Sequence, residues 1–278
     1  MPLDIIFLVL LGAALHATWN ALVKSGTDKQ LDSTMVALGA SVTSICALPF
    51  LPMPNAAAWP FILGSVCIHF TYYQLVGAAY RLGDIGLVYP LMRGVAPLIV
   101  ATTSGTILGE HLSPVMFAGV MFICTGVLTI AVDFRRGHSK AIWVALANAV
   151  VISLYTYVDG VGARLAGNPI SYTLWICILP PLPLFAFAFF MRGVWPVLVH
   201  VRLTWRRGLI GGAGSLASYG LALCAMTKAP IAAVAALRET SIFFALIISV
   251  FILKEKASPW RYVAGGLIAI GALTMKLG

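Results

Sequence analysis

Apolar runs of about twenty residues, the length that crosses a bilayer as a helix, recur along the whole chain and are broken only by short polar, charged or proline-bearing connectors. Read as helices, they fall over residues 3–24, 32–51, 59–81, 84–108, 112–133, 140–162, 169–191, 206–227, 229–253 and 257–277. The punctuation agrees. Pro49, Pro52 and Pro54 close the second run, Gly83 parts the third from the fourth, and Ser113-Pro114 and Ser258-Pro259 have the form of an N-cap followed by a first-turn proline. Pro90, Pro97, Pro180, Pro181 and Pro183 fall inside runs, where a kink needs neighbouring helices or water to satisfy the freed carbonyls.

Composition turns these runs into membrane spans. The 278 residues are 60% hydrophobic and 10% charged, with a mean hydropathy of +0.97, whereas a soluble domain carries about 25% charged residues. No stretch is left over for a soluble domain, so the chain reads as one polytopic bundle. Met1-Pro2-Leu3-Asp4 puts an acidic residue where a cleaved leader would have Lys or Arg, which predicts a first membrane helix. Cys46, Cys67, Cys124, Cys177 and Cys224 lie singly in apolar runs, without the paired spacing of zinc or redox sites, and are expected as packed thiols.

The net charge of +9 is explained by the connectors and calls for no nucleic acid. Of the 18 Lys and Arg, 13 lie in the odd-numbered connections, only Arg164, Lys228 and Lys276 lie on the other side, and Arg93 and Arg238 are inside runs. The positive-inside rule then makes the odd connections cytoplasmic and places both termini outside, in a cell (plasma or inner) membrane.

Shifting the chain by 145 residues against itself aligns Arg93 with Arg238, Ile107-Leu108 with Ile252-Leu253, Glu110 with Glu255, Ser113-Pro114 with Ser258-Pro259 and Leu128-Thr129 with Leu273-Thr274. Coincident Arg, Glu and Ser-Pro identify an internal repeat. Five helices per repeat is an odd number, so the second copy enters the membrane inverted, the plan of many secondary transporters. The fold expected is all-α and integral to the membrane: ten transmembrane helices as two inverted five-helix repeats, 1–135 and 136–278, around a central cavity. Each arginine then sits about nine residues, or about 14 Å, into its helix from opposite faces of a roughly 30 Å core, near the midplane.

This arrangement, with Leu108-Gly109-Glu110-His111-Leu112-Ser113 and Leu253-Lys254-Glu255-Lys256-Ala257-Ser258 closing the fourth and ninth helices, resembles the EamA-type members of the drug/metabolite transporter superfamily over nearly the whole chain. The resemblance implies a basket of helices whose cavity is formed by helices 1, 3, 4, 6, 8 and 9, and transport of small metabolites, often export, by alternating access. It names no cargo.

Several residues could line such a cavity. His16, Trp19 and Asn20 share one helix face at i, i+3 and i+4, and an imidazole ordinarily titrates in the physiological range. Tyr155 and Asp159 share a face of the sixth helix, where Asp159 is expected near the aqueous edge, as a cavity carboxylate or as the partner of Arg164. Tyr73 and Gln74 in the third helix, and Tyr219 opposite Gln74 in the repeat, offer rings with polar ends. Trp59, Trp195, Trp205 and Trp260 sit at run edges and read as interfacial belt residues. Arg93 and Arg238 are the leading candidates, since a guanidinium in a dry site binds carboxylate or phosphate bidentately. Glu239, beside Arg238, cannot face it as an i, i+4 pair would, so at least one of the two needs another partner. Glu110 and Glu255 read as caps of the helices that follow them.

These features predict a secondary transporter, not an enzyme, for a small polar or amphipathic metabolite. Two buried arginines favour an anionic or zwitterionic cargo. No nucleotide-binding loop is present, which points away from ATP drive, no cofactor is implied, and proton coupling through His16, Asp159 or Glu239 is open. The alternatives are a membrane-embedded enzyme acting on a lipid-linked substrate and an accessory subunit without transport.

Overall fold

The computed structural model describes residues 1–24, 28–134, 139–252, 254 and 257–278. Among them the chain is helical throughout, with no strand. The helices are α1 (Leu3–Lys24), α2 (Lys29–Ala47), α3 (Trp59–Leu82), α4 (Ile85–Leu108), α5 (Pro114–Thr129), α6 (Ser139–Leu165), α7 (Pro169–Ile178), α8 (Pro181–Arg192), α9 (Val194–Met226), α10 (Ile231–Arg238), α11 (Ser241–Ile247) and α12 (Pro259–Leu277). Nine stretches of the described chain are long and apolar enough to cross a membrane. The tenth helix, α12, is less apolar and carries Arg261 and Lys276 in its terminal turns.

Among the described residues four helix starts carry a side-chain cap, whereas Ser258 makes no such bond at the start of α12. Asp28 accepts from the amides of Gln30 and Leu31, Asp84 from Gly86, Ser113 from Met116, and Asn168 from Ile170 and Ser171. Each bond satisfies an amide that the first turn leaves without a partner. α4 runs unbroken through Pro90 and Pro97 and ends at Gly109 in the left-handed conformation (φ 68°). Ser153 and Tyr157, one turn apart on α6, donate to the α4 carbonyls of Ala96 and Val100 at 3.1 and 2.8 Å, fixing that helix beside its proline.

Three expected helices differ. The seventh breaks at Pro180-Pro181 into α7 and α8, because a proline pair removes consecutive amide donors. The ninth stops at Arg238 and restarts at Ser241, then widens into a π-type turn over Ile248–Ile252. The eighth begins twelve residues early: α9 has 33 residues, about 50 Å at 1.5 Å per residue, which exceeds a roughly 30 Å core. Arg202, Arg206 and Arg207 are therefore turns of a helix that projects or tilts, not a connecting loop.

The most extensive packings join an element before residue 135 to one after 136: α5 with α12, α2 with α9, α1 with α9, α3 with α6 and α4 with α6. Small residues let the backbones touch. A Cβ on Gly39 of α2 would stand 2.0 Å from the Gly208 carbonyl oxygen of α9, and one on Gly271 of α12 would stand 2.7 Å from that of Gly119 on α5. In lipid, where apolar side chains gain nothing by meeting one another, such close approach is what holds helices together. Large apolar side chains such as Phe7, Phe50, Trp143, Phe190, Leu203 and Phe251 point outward. Trp195, Trp205 and Trp260 do the same, whereas Trp59 turns in to meet Trp175 edge-on at 4.9 Å.

Two sets of contacts define the ends of the bundle. At one, Arg192 binds Asp28, His200 binds Asp32 at 2.9 Å, and Gly83 abuts Ala141. At the other, the Asn55 amide donates to Ala166, Ser171 to the Pro52 carbonyl, and Gly278 meets Ser113.

Candidate functional site

Inside the bundle lies a cavity of about 230 Å³. At ~30 Å³ per molecule of liquid water that is room for about eight waters, the scale of a small metabolite. α1 contributes His16, Trp19 and Asn20, α3 contributes His69, Tyr72, Tyr73 and Tyr80, α4 gives Tyr89 and Arg93, α6 gives Tyr155, α9 gives Tyr219, and α10 gives Arg238. The wall is one-sided in depth. At the Asp28 end it reaches Ser33, Tyr80 and Tyr89, each within about a turn of a helix terminus. Toward the opposite end its limit on α1 is His16, thirteen residues or about 20 Å from Leu3. Beyond it Val9, Ile62, Tyr172, Leu223, Met226 and Ile231 fill the bundle.

Arg93 is committed within the protein. Its Nε donates to Glu239 Oε2 at 2.9 Å and its Nη2 lies 2.8 Å from Oε1, a two-point ion pair with both side chains under 10% exposed. Arg238 has no carboxylate within ion-pair distance among the described residues. Its guanidinium lies over the Tyr219 ring, 4.9 Å from the centroid, a cation–π contact. The hydroxyl of Tyr219 donates to Asp159 Oδ2, and Tyr172 donates to Oδ1 at 3.0 Å.

The helix breaks explain this division. α10 ends at Arg238 and passes into a tighter turn in which Glu239 keeps right-handed helical dihedrals, so the two neighbours point apart, Glu239 to Arg93 of α4 and Arg238 to the cavity. Adjacent residues thereby serve two places, which resolves the geometric conflict that the sequence posed.

Of the expected site residues, His16, Trp19, Asn20, Tyr73, Arg93, Tyr155, Tyr219 and Arg238 meet at the cavity. Gln74, Asp159 and Glu239 are not on its wall. Gln74 falls off the α3 face that looks inward, and Glu239 is buried behind Arg93. Asp159 is fully buried, not at an aqueous edge, because α6 continues to Leu165 and α7 folds Tyr172 over it. Nor does it pair with Arg164. That side chain binds Glu110 at 2.6 Å and donates to the carbonyls of Met226 and Ala229.

Glu110 is a cap, but of a different helix from the one expected. Its Oε2 accepts from the Ile231 amide at 2.8 Å, at the start of α10, while Ser113 caps α5. Glu255 lies outside the described residues, as do Arg135, Arg136 and Lys256 of the connector charges. Cys177 lines the cavity and Cys46 and Cys67 face outward, so only Cys124 is a fully packed thiol. The sequence reading misses His69, Tyr80 and Tyr89, and in the stretch Thr71-Tyr72-Tyr73-Gln74 it favours Gln74 where the structure places Tyr72 on the wall. His69, Tyr72, Tyr73, Val76 and Tyr80 form a stripe at i, i+3, i+4, i+7 and i+11, a signal that was present, and His69 stacks on Tyr155 at 4.5 Å.

Comparison with known proteins places the molecule. The model of the EamA-like transporter family matches residues 139–277, half of the chain. The chain belongs to that family. It is thus an EamA-like, multi-pass membrane protein of the drug/metabolite transporter superfamily. A solved structure described only as "Crystal structure of protein" aligns over 100% of this chain and 98% of its own, with a TM-score of 0.77 at 18% identity, a likeness of fold. Curated protein sequences yield no match.

Proposed function

We propose that this EamA-like protein is a secondary transporter that carries a small anionic or zwitterionic metabolite by alternating access, with Arg238 as the anion anchor. The observation that carries the reading is the one cavity-facing guanidinium that has no carboxylate partner among the described residues, set among aromatic rings. Arg93, already neutralised by Glu239, acts as a lock between the halves instead of a second anchor. The indole Nε1 of Trp19 is buried with no acceptor among the described residues, which gives the cargo a second polar contact. Tyr72, Tyr73, Tyr80, Tyr89 and Tyr155 favour a cargo with a flat apolar body.

The reciprocal packing of α1 with α9 and of α3 with α6 supports a pair of inverted repeats, since the repeat exchanges those two contacts. On the charge bias the Asp28 end faces the cytoplasm, so the cavity is open inward, the loading state for export, and both termini lie outside. The Glu110–Arg164 pair and the packed core close the other end. The enzyme and accessory-subunit alternatives have no observation of their own in their favour.

Purified protein in proteoliposomes, tested for counterflow against a panel of aromatic and aliphatic carboxylates, zwitterions and amines, examines this reading. Saturable exchange of carboxylates that Arg238→Gln lowers by at least tenfold is expected. Preference for amines, or undiminished flux in Arg238→Gln, would sink it.

A further inference from the structure

We propose that Asp159 is a proton-binding site that balances the charge of the cargo, with Tyr219 linking it to the cavity. The inference rests on the anionic-cargo reading and adds the coupling ion.

Apart from groups at the bundle ends, the ionised side chains around the cavity are Arg93, Glu239, Arg238 and Asp159, and they sum to zero. A monoanion bound at Arg238 leaves this low-dielectric region at minus one. Charge buried without compensation is costly, so a proton taken up nearby stabilises the loaded state.

Two carboxylates could receive it, and their surroundings differ. Glu239 is held by two charge-assisted bonds from Arg93 and keeps that cation whether or not cargo is bound. Among the described residues Asp159 has hydroxyl donors only, from Tyr172 on α7 and Tyr219 on α9. The cation closest to it along this chain of contacts is Arg238, across the Tyr219 ring. Once an anion occupies Arg238, Asp159 loses the benefit of that charge, whereas Glu239 loses little. The other titratable groups facing this region are Tyr155 on α6, Cys177 on α7, His69, Tyr72, Tyr73 and Tyr80 on α3, Tyr89 on α4 and His16 on α1; none is a cation partner of Asp159.

Tyr219 supplies the route. Its ring lines the cavity and its hydroxyl touches the carboxylate. A hydronium or water in the cavity gives a proton to Tyr219 Oη as the tyrosine's own proton passes to Asp159 Oδ2. Only O–H bonds form and break, and one proton leaves solvent per carboxylate protonated. One proton then moves with each monoanion in the same direction, outward whenever the cargo gradient exceeds the opposing proton gradient.

Arg238→Gln mimics, without any ligand, the loss of cation charge that cargo causes. In infrared difference spectra of purified protein at neutral pH, Arg238→Gln is expected to show a protonated-carboxyl stretch that the wild type lacks and that the Arg238→Gln/Asp159→Asn pair removes. No band in Arg238→Gln, or one that survives Asp159→Asn, overturns the proposal. In proteoliposomes with benzoate as probe, Asp159→Asn should keep benzoate counterflow and lose at least tenfold of pH-gradient-driven uptake; unchanged gradient-driven uptake also overturns it. If the wild type does not exchange benzoate, the cargo reading is what fails, and the infrared arm still decides Asp159.

Discussion

Arg93 and Arg238 occupy matching places in the two halves of the sequence and have opposite fates in the fold. Around Arg93, α4 is a continuous helix, the side chain is buried, and its Nε and Nη2 are both taken by Glu239. Around Arg238 the helix stops, the side chain faces the cavity, and its neighbour is the face of a tyrosine ring. One residue makes the difference. Position 94 is Gly, and a Cβ there would come 2.9 Å from Leu128, whereas its counterpart, Glu239, has room at a helix end and reaches across to Arg93. A guanidinium's role in a membrane core is set by whether the protein itself supplies the anion.

Removing that anion should have the largest effect. Glu239→Gln leaves Arg93 buried and unpaired, an expected loss of about 3–5 kcal/mol of stability. It would appear as a large fall in the melting temperature of the detergent-solubilised protein, partly restored by adding Arg93→Gln. A variant that melts like the wild type but fails to transport would move Glu239 from lock to cargo site and erase the contrast. Arg238→Gln is the converse case. Its melting temperature should fall less than that of Glu239→Gln, because a proton on Asp159 replaces the lost cation, while exchange falls at least tenfold, equivalent to about 1.4 kcal/mol or more of cargo interaction. Arg238→Lys should recover only part, because an ammonium cannot form the two-point contact.

The two ends of the bundle sharpen the contrast between a packed side and an open one. Glu110→Gln weakens the charged contact to Arg164, at a partly exposed site where about 1–2 kcal/mol is at stake. Thiol labelling of a cysteine introduced at Ala166, in a cysteine-free background, should then rise; unchanged labelling would mean that the apolar core alone closes that end. The smallest effect belongs to Asp28. Partial burial pushes its carboxyl up, but the Arg192 hydrogen bond and the amides of Leu31 and Gln30 outweigh this and hold it below its ordinary value of 3.8. A carboxyl held low stabilises the fold above its ordinary value, and that contribution is lost as pH falls below about 3.8 through the lowered one. The Asp28 side chain is 29% exposed at an end of the bundle where solvent screens the pair, so the amount is under ~1 kcal/mol. Asp28→Asn should flatten the acid limb of a melting-temperature profile slightly, and a steep limb unchanged in the variant would place the acid sensitivity elsewhere.

Much of the architecture was determined by the sequence alone. Runs of about twenty apolar residues in a bilayer have one low-energy form, the helix, so their number and most of their limits follow from local composition and capping. The α1 face of His16, Trp19 and Asn20 was readable for the same reason, since helical spacing is local. Tertiary structure decided what depends on partners far apart in the chain. Arg93 and Glu239 are 146 residues apart, Glu110 caps a helix beginning 121 residues later, and Asp159 is buried by tyrosines from two other helices. A buried charge in a membrane takes its meaning from whatever neutralises it, and that neighbour is chosen by the packing of helices, not by position along the sequence.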